Sequence, residues 1–129
     1  MIEFSLDSRS GVSPYLQVVQ QVRQALRLGL LRTGDQLPTV KDVVARLAIN
    51  PNTVLKAYRE LERDGLVAAR PGIGTFVTRS LADASLVAHE PLRRDLQRWL
   101  AKARLAGLDD ESIEALFQSS FRAAQQDIA

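Results

Sequence analysis

Cysteine is absent from this chain, and histidine occurs once, at His89. The first absence removes disulfides and thiolate chemistry and fits a cytoplasmic home. The second removes any histidine-rich metal site within one chain, and His89 reads as an exposed linker residue. No phosphate-cradling glycine loop occurs either. No catalytic constellation can therefore be assembled, and neither an enzyme nor a cofactor is expected. No run of about 18 apolar residues exists to span a membrane. The opening MIEFSLDSRS lacks the apolar stretch of a signal peptide. Internal repeats and low-complexity segments are missing as well.

What is present is ordinary in bulk and uneven in detail. A chain of 129 residues, 46% hydrophobic and 25% charged, has room for one globular domain and a small appendage. Residues 1–79 carry 11 Lys/Arg against 7 Asp/Glu, a net of +4, and residues 80–129 carry 6 against 8, a net of −2. A basic N-terminal part suits a polyanionic partner.

The pattern along the chain is mainly helical, with a small β element. Ile2, Phe4 and Leu6 alternate with polar residues, as in a short edge strand or docking arm. Pro14 opens a helix to about Gly29, with Tyr15, Val18, Val19, Val22, Ala25 and Leu26 in one apolar stripe. Leu30, Leu31 and Leu37 surround a turn cluster at Thr33-Gly34-Asp35. Thr39 is placed to cap a short helix carrying Val40, Val43, Val44 and Leu47. Asn50 caps the next helix, Pro51 takes its first position, and Ile49 and Val54 stand at the positions of a hydrophobic staple. About three residues separate these two helices, which is the spacing of a helix-turn-helix.

Faces sort cleanly on the second of these helices, Pro51 to Asp64. Val54, Ala57, Tyr58 and Leu61 cluster on one side, and Asn52, Leu55, Lys56, Arg59 and Arg63 on the other. Gly65 ends it as a left-handed C-cap. Residues 66–70 and 75–78 then form a two-stranded wing around Pro71-Gly72-Ile73-Gly74. A helix-turn-helix inserts the N-terminal turns of its second helix into the major groove. Asn52 can pair with adenine, Lys56 with guanine or a phosphate, Thr53 with a phosphate, and Leu55 with a thymine methyl. Lys41 and Arg46 are phosphate candidates on the bracing helix. Arg70, Gly72 and Gly74 can bring the wing close to the DNA backbone or minor groove. Each feature alone has a plainer explanation, such as a solvated face, a cap or a hairpin turn. Their coincidence in winged-helix order favours DNA.

The run LPTVKDVVARLAINPNTVLKAYRELERDGLVAARPGIGTFV closely resembles the N-terminal DNA-binding domain of the GntR family of bacterial regulators. The preceding PYLQVVQQVRQALRLGLLRTGDQLP extends the similarity over roughly residues 12–78. Chain length points to the YtrA-like subfamily, in which a short helical pair serves dimerisation. The resemblance implies DNA contacts at Lys41, at Pro51, Asn52 and Thr53, and at Gly72. Two departures stand out. Lys41 replaces the family's common arginine, giving a point charge where arginine gives a fork. Ile73 replaces the polar or basic residue often found at the wing tip.

From Ser80 the composition shifts to alanine, leucine and mixed charge. Pro91 begins a helix to Ala106 with Leu92, Leu96, Trp99, Leu100 and Ala103 in its stripe. Asp109 caps a last helix carrying Ile113, Leu116, Phe117, Phe121 and Ala124. Two helices with one apolar stripe each cannot bury themselves alone, but two such pairs make a four-helix core, with Trp99, Phe117 and Phe121 as anchors. The alternative is a hairpin folded back on the winged helix.

The expectation is therefore a winged helix-turn-helix DNA-binding domain over 1–79 and a helical dimerisation segment over 80–129. Its function would be that of a homodimeric, sequence-specific transcriptional repressor on a near-palindromic operator of its own operon, released or modulated by a small effector. Transporter genes are the target that the resemblance implies. The competing reading is a winged helix that binds protein, its basic face incidental.

Overall fold

A computed structural model describes residues 2–82 and 88–128. Residues 83–87 belong to the segment 80–129 read as the helical dimerisation segment and lie outside this description. The elements run α1 (Pro14–Arg27), α2 (Val40–Leu47), α3 (Pro51–Arg63), β1 (Val67–Arg70), β2 (Gly74–Val77), α4 (Glu90–Leu105) and α5 (Asp110–Ile128). The fold is mainly helical with a small β wing. The chain divides into two units, Met1–Ala88 and His89–Ala129.

Local chemistry sets the boundaries in the first unit. The Thr39 hydroxyl accepts from the Asp42 N–H at 3.1 Å and starts α2, and the Asn50 side chain accepts from the Asn52 N–H at 2.8 Å and starts α3. Each such cap is worth about 1 kcal/mol. Ala48 closes α2 in the left-handed conformation, with φ 53° and ψ 46°, which costs a non-glycine residue about 1–2 kcal/mol. Gly65 follows α3 with φ +76° and turns the chain into β1. α3 packs on both α1 and α2. Val18, Val22, Leu26, Leu37, Val43, Val54, Leu61 and Val77 lie at the centre of one continuous core.

β1 and β2 pair antiparallel from Val67 opposite Val77 to Arg70 opposite Gly74. The Ile73 N–H donates to the Arg70 carbonyl at 3.0 Å, with Pro71 and Gly72 (φ +75°) between them. Proline then glycine at these positions suits a type II turn. The segment around Asp35, expected as a plain turn, in fact extends the wing by pairing with the other edge of β2. Gly34 donates to the Val77 carbonyl, Val77 to the Asp35 carbonyl and Leu37 to the Thr75 carbonyl, at 2.8–2.9 Å, around a single bridge between Gln36 and Phe76. One bridge is too short to leave an alternating side-chain pattern, which is why the sequence did not reveal it.

The leader is a docking arm and not an edge strand. Phe4 enters the core, 2% exposed. Two glutamines one turn apart on α1 take the place of a strand partner. The Gln21 amide accepts from the Ser5 N–H at 3.1 Å and donates to the Ser5 carbonyl at 2.6 Å. Gln17, buried, accepts from the Asp7 N–H and donates to the Asp7 and Val12 carbonyls.

The second unit is a helical hairpin. α4 packs on α5 across a turn in which Gly107 has φ +92°. Asp109 caps α5, accepting from the Ser112 N–H at 2.8 Å. Hydrogen bonds from Ser112 hold its carboxyl below the usual carboxylate range. His89 stands at the N-cap of α4 without a side-chain capping bond, and not in a linker.

Candidate nucleic-acid interface

α3 presents the two faces that its sequence encodes. Val54, Ala57, Tyr58 and Leu61 are buried, while Pro51, Asn52, Lys56, Arg59 and Arg63 are exposed and Thr53 and Leu55 are half-buried. The helix is anchored from behind by Tyr58, whose hydroxyl donates to the Pro38 carbonyl at 2.6 Å. Burial, and then the Asp42 charge, push this phenol well above its ordinary range, so it remains a neutral donor. A second tie at the far end of α3 joins Arg23 of α1 to Asp64. Both ties were missed in the sequence. Tyr58 read only as a core residue, and nothing in the spacing linked Arg23 to a residue 41 positions away.

On α2, Lys41 is exposed and enters no ion pair among the described residues. Arg46 differs. Its Nε donates to the Phe4 carbonyl at 3.1 Å and its guanidinium pairs with Glu3 at 3.3 Å. The arm therefore engages Arg46, and a phosphate would have to compete with Glu3 or share the remaining donors. Lys56 is also partnered, with its ammonium 3.9 Å from the centroid of the Tyr15 ring.

At the wing, the Arg70 guanidinium lies 4.8 Å from the Phe76 ring centroid, worth about 0.5–1 kcal/mol at an exposed site. The two wing glycines have different structural reasons. A Cβ on Gly72 would meet nothing within 4 Å, leaving the tip open to a close approach. A Cβ on Gly74 would lie 2.5 Å from the movable end of the Gln36 side chain, but its φ of +145°, a conformation other residues rarely adopt, already accounts for a glycine there. Ile73 projects from the tip, 66% exposed.

In the hairpin, Leu92, Leu96, Leu116, Phe117 and Phe121 are exposed, and Trp99 and Leu100 are half-buried. The Phe117 and Phe121 rings stack with centroids 5.9 Å apart. A groove of about 260 Å³ runs between the helices over Leu96, Leu100, Ile113 and Phe117. Ala103 and Ile113, also expected on this face, are already buried. No helix among the described residues is long and apolar enough to cross a membrane.

The winged-helix part of the chain, residues 14–77, matches the model of bacterial regulatory proteins of the gntR family. The HTH-type transcriptional repressor YtrA of Bacillus subtilis (strain 168) is 34% identical over 110 residues, covering 84% of each chain. Among solved structures, YtrA from Sulfolobus acidocaldarius, a GntR-family transcription factor, superposes with a TM-score of 0.55 at 28% identity, over 76% of this chain and 97% of that one. The DNA-binding domain of AraR in complex with operator ORR3 gives a TM-score of 0.51 at 25% identity, over 60% of this chain and 93% of that one. This chain accordingly belongs to the GntR family of bacterial regulatory proteins, as a DNA-binding transcriptional regulator of the YtrA-like kind.

Proposed function

We propose that the protein is a homodimeric repressor that binds a near-palindromic operator upstream of its own gene. Residues 1–79 would read the DNA and residues 80–129 would join two copies. The observation that carries this reading is the exposed polar face of α3, Asn52, Lys56, Arg59 and Arg63, on a helix locked by its opposite face into the core. A single such helix contacts too few base pairs for high specificity, and a two-fold dimer doubles the site. The stacked Phe117 and Phe121 and the exposed leucines of the hairpin supply a self-complementary surface for the second copy. Control of transporter genes, release by a small effector and a cytoplasmic location complete the proposal. They are supported by likeness to the YtrA repressor and by the absence of cysteine.

The test is binding of the purified protein to the DNA upstream of its gene and to a shuffled duplex, across a salt series. A preference for the native fragment that survives physiological salt, with two footprinted half-sites about one helical turn apart, is the expected result. Asn52→Ala should weaken the native complex by about 1–3 kcal/mol and the shuffled one by less. Equal, weak binding to both duplexes that disappears with salt would overturn operator recognition.

A further inference from the structure

Lys56 stands apart from the other cations of α3. Its ammonium sits over the face of Tyr15, 3.9 Å from the ring centroid. Among the described residues, neither Arg59 nor Arg63 is held by a ring or a carboxylate. The two partners come from different elements, Tyr15 from the first turn of α1 and Lys56 from the second turn of α3. Because α1 and α3 are packed together, the pair bridges the rim of that contact.

The geometry fixes what Lys56 can do. Tyr15 is half-buried and packed on the core, so its ring has fewer positions open to it than a free side chain. A free lysine stem samples many rotamers, and a cation over a ring samples few. The ring uses one side of the ammonium, while the other N–H donors stay available because the side chain remains exposed. What is offered is a localised positive charge without the planar fork that reads guanine bidentately. It is also drawn toward α1, away from the N-terminal turn of α3 that carries Asn52 and enters the groove. A point charge on the flank of a recognition helix meets the sugar-phosphate backbone.

We propose that Tyr15 is a positioning residue that holds Lys56 as a clamp on a backbone phosphate of duplex DNA, adding affinity and register but no sequence preference. The proposal rests on the DNA-binding reading of α3. It needs no operator, because a phosphate contact is made on any duplex.

The experiment is a double-mutant cycle in DNA binding, read on the upstream fragment and on a shuffled duplex at several salt concentrations. Lys56→Ala should lower affinity for both duplexes by the same factor, about tenfold, and reduce the salt slope by about one. Tyr15→Leu should lower both by about two- to fivefold and have no further effect in the Lys56→Ala background. Tyr15→Phe, which keeps the ring, should restore wild-type binding. In the wild type, the side-chain methylene protons of Lys56 should show an upfield ring-current shift in NMR, a signature independent of whether Tyr15→Leu folds well. An equal Tyr15→Leu loss in both backgrounds, or a Lys56→Ala loss confined to the upstream fragment, would overturn the clamp while leaving DNA binding intact. Failure of the wild type to bind either duplex at low salt would overturn the DNA reading itself.

Discussion

In the N-terminal unit, sixteen buried residues from the arm, three helices and the wing form one cluster, and its exposed helix face is polar and basic. In the C-terminal hairpin only Ala103 and Ile113 are buried among the described residues, while Leu92, Leu96, Leu116, Phe117 and Phe121 each stay at least 43% exposed. The first unit buries most of its apolar residues, with Leu28, Leu30 and Ile73 the large exceptions, and leaves a polar face of α3 exposed. The second leaves its apolar stripe unsatisfied. Exposed apolar surface of this kind suits association, so under the proposed function the two units serve different partners for opposite physical reasons. The only tryptophan, Trp99, lies in the hairpin, and both tyrosines, Tyr15 and Tyr58, lie in the other unit. Tryptophan fluorescence and tyrosine signals therefore follow the two units separately.

The largest effect should come from the closed core. Leu61→Ala removes a side chain with no exposure and should destabilise the N-terminal unit by about 2–5 kcal/mol, measured by denaturant unfolding through the tyrosine signal. A simultaneous shift of the Trp99 transition would break the picture of two separate units. Phe117→Asp should next convert dimer to monomer in sedimentation and lower operator affinity on the order of a hundredfold through lost avidity, with the tyrosine transition unmoved. A variant that stays dimeric would remove the hairpin face from the interface. Ala48→Gly relieves the left-handed residue between α2 and α3 and should stabilise the first unit by up to about 1 kcal/mol.

The smallest effect concerns the hairpin cap. Because hydrogen bonds from Ser112 depress the Asp109 pKa, its contribution is present above the unfolded carboxylate pKa. It is lost as the pH falls through the lower folded value. Asp109→Asn keeps the capping oxygen without the titration. It should flatten this acid-side loss in Trp99-detected melts, and an unchanged pH profile would assign the loss to other carboxylates.

Much of this was legible beforehand because it is local. The caps at Thr39, Asn50 and Asp109, the stop at Gly65 and the sorting of α3 into two faces each depend on residues within a turn or two of one another. Less legible was everything that joins distant segments. Ala48 carries no preference for positive φ that would betray its conformation. Glu3 and Arg46 gave no sign that the arm would engage a residue assigned to phosphate. Gly74 suggested an open wing tip, and only its φ of +145° in the structure showed a backbone reason for it.

The sequence by itself determined the element order, the helix boundaries, the core face of α3 and the membership of the winged helix in its family, since periodicity, capping and turn chemistry are short-range. Tertiary structure alone decided which cations are already partnered, which glycine is open and which apolar residues remain uncovered. Those properties depend on contacts between segments far apart in the chain, and neither spacing nor composition encodes the distance between them.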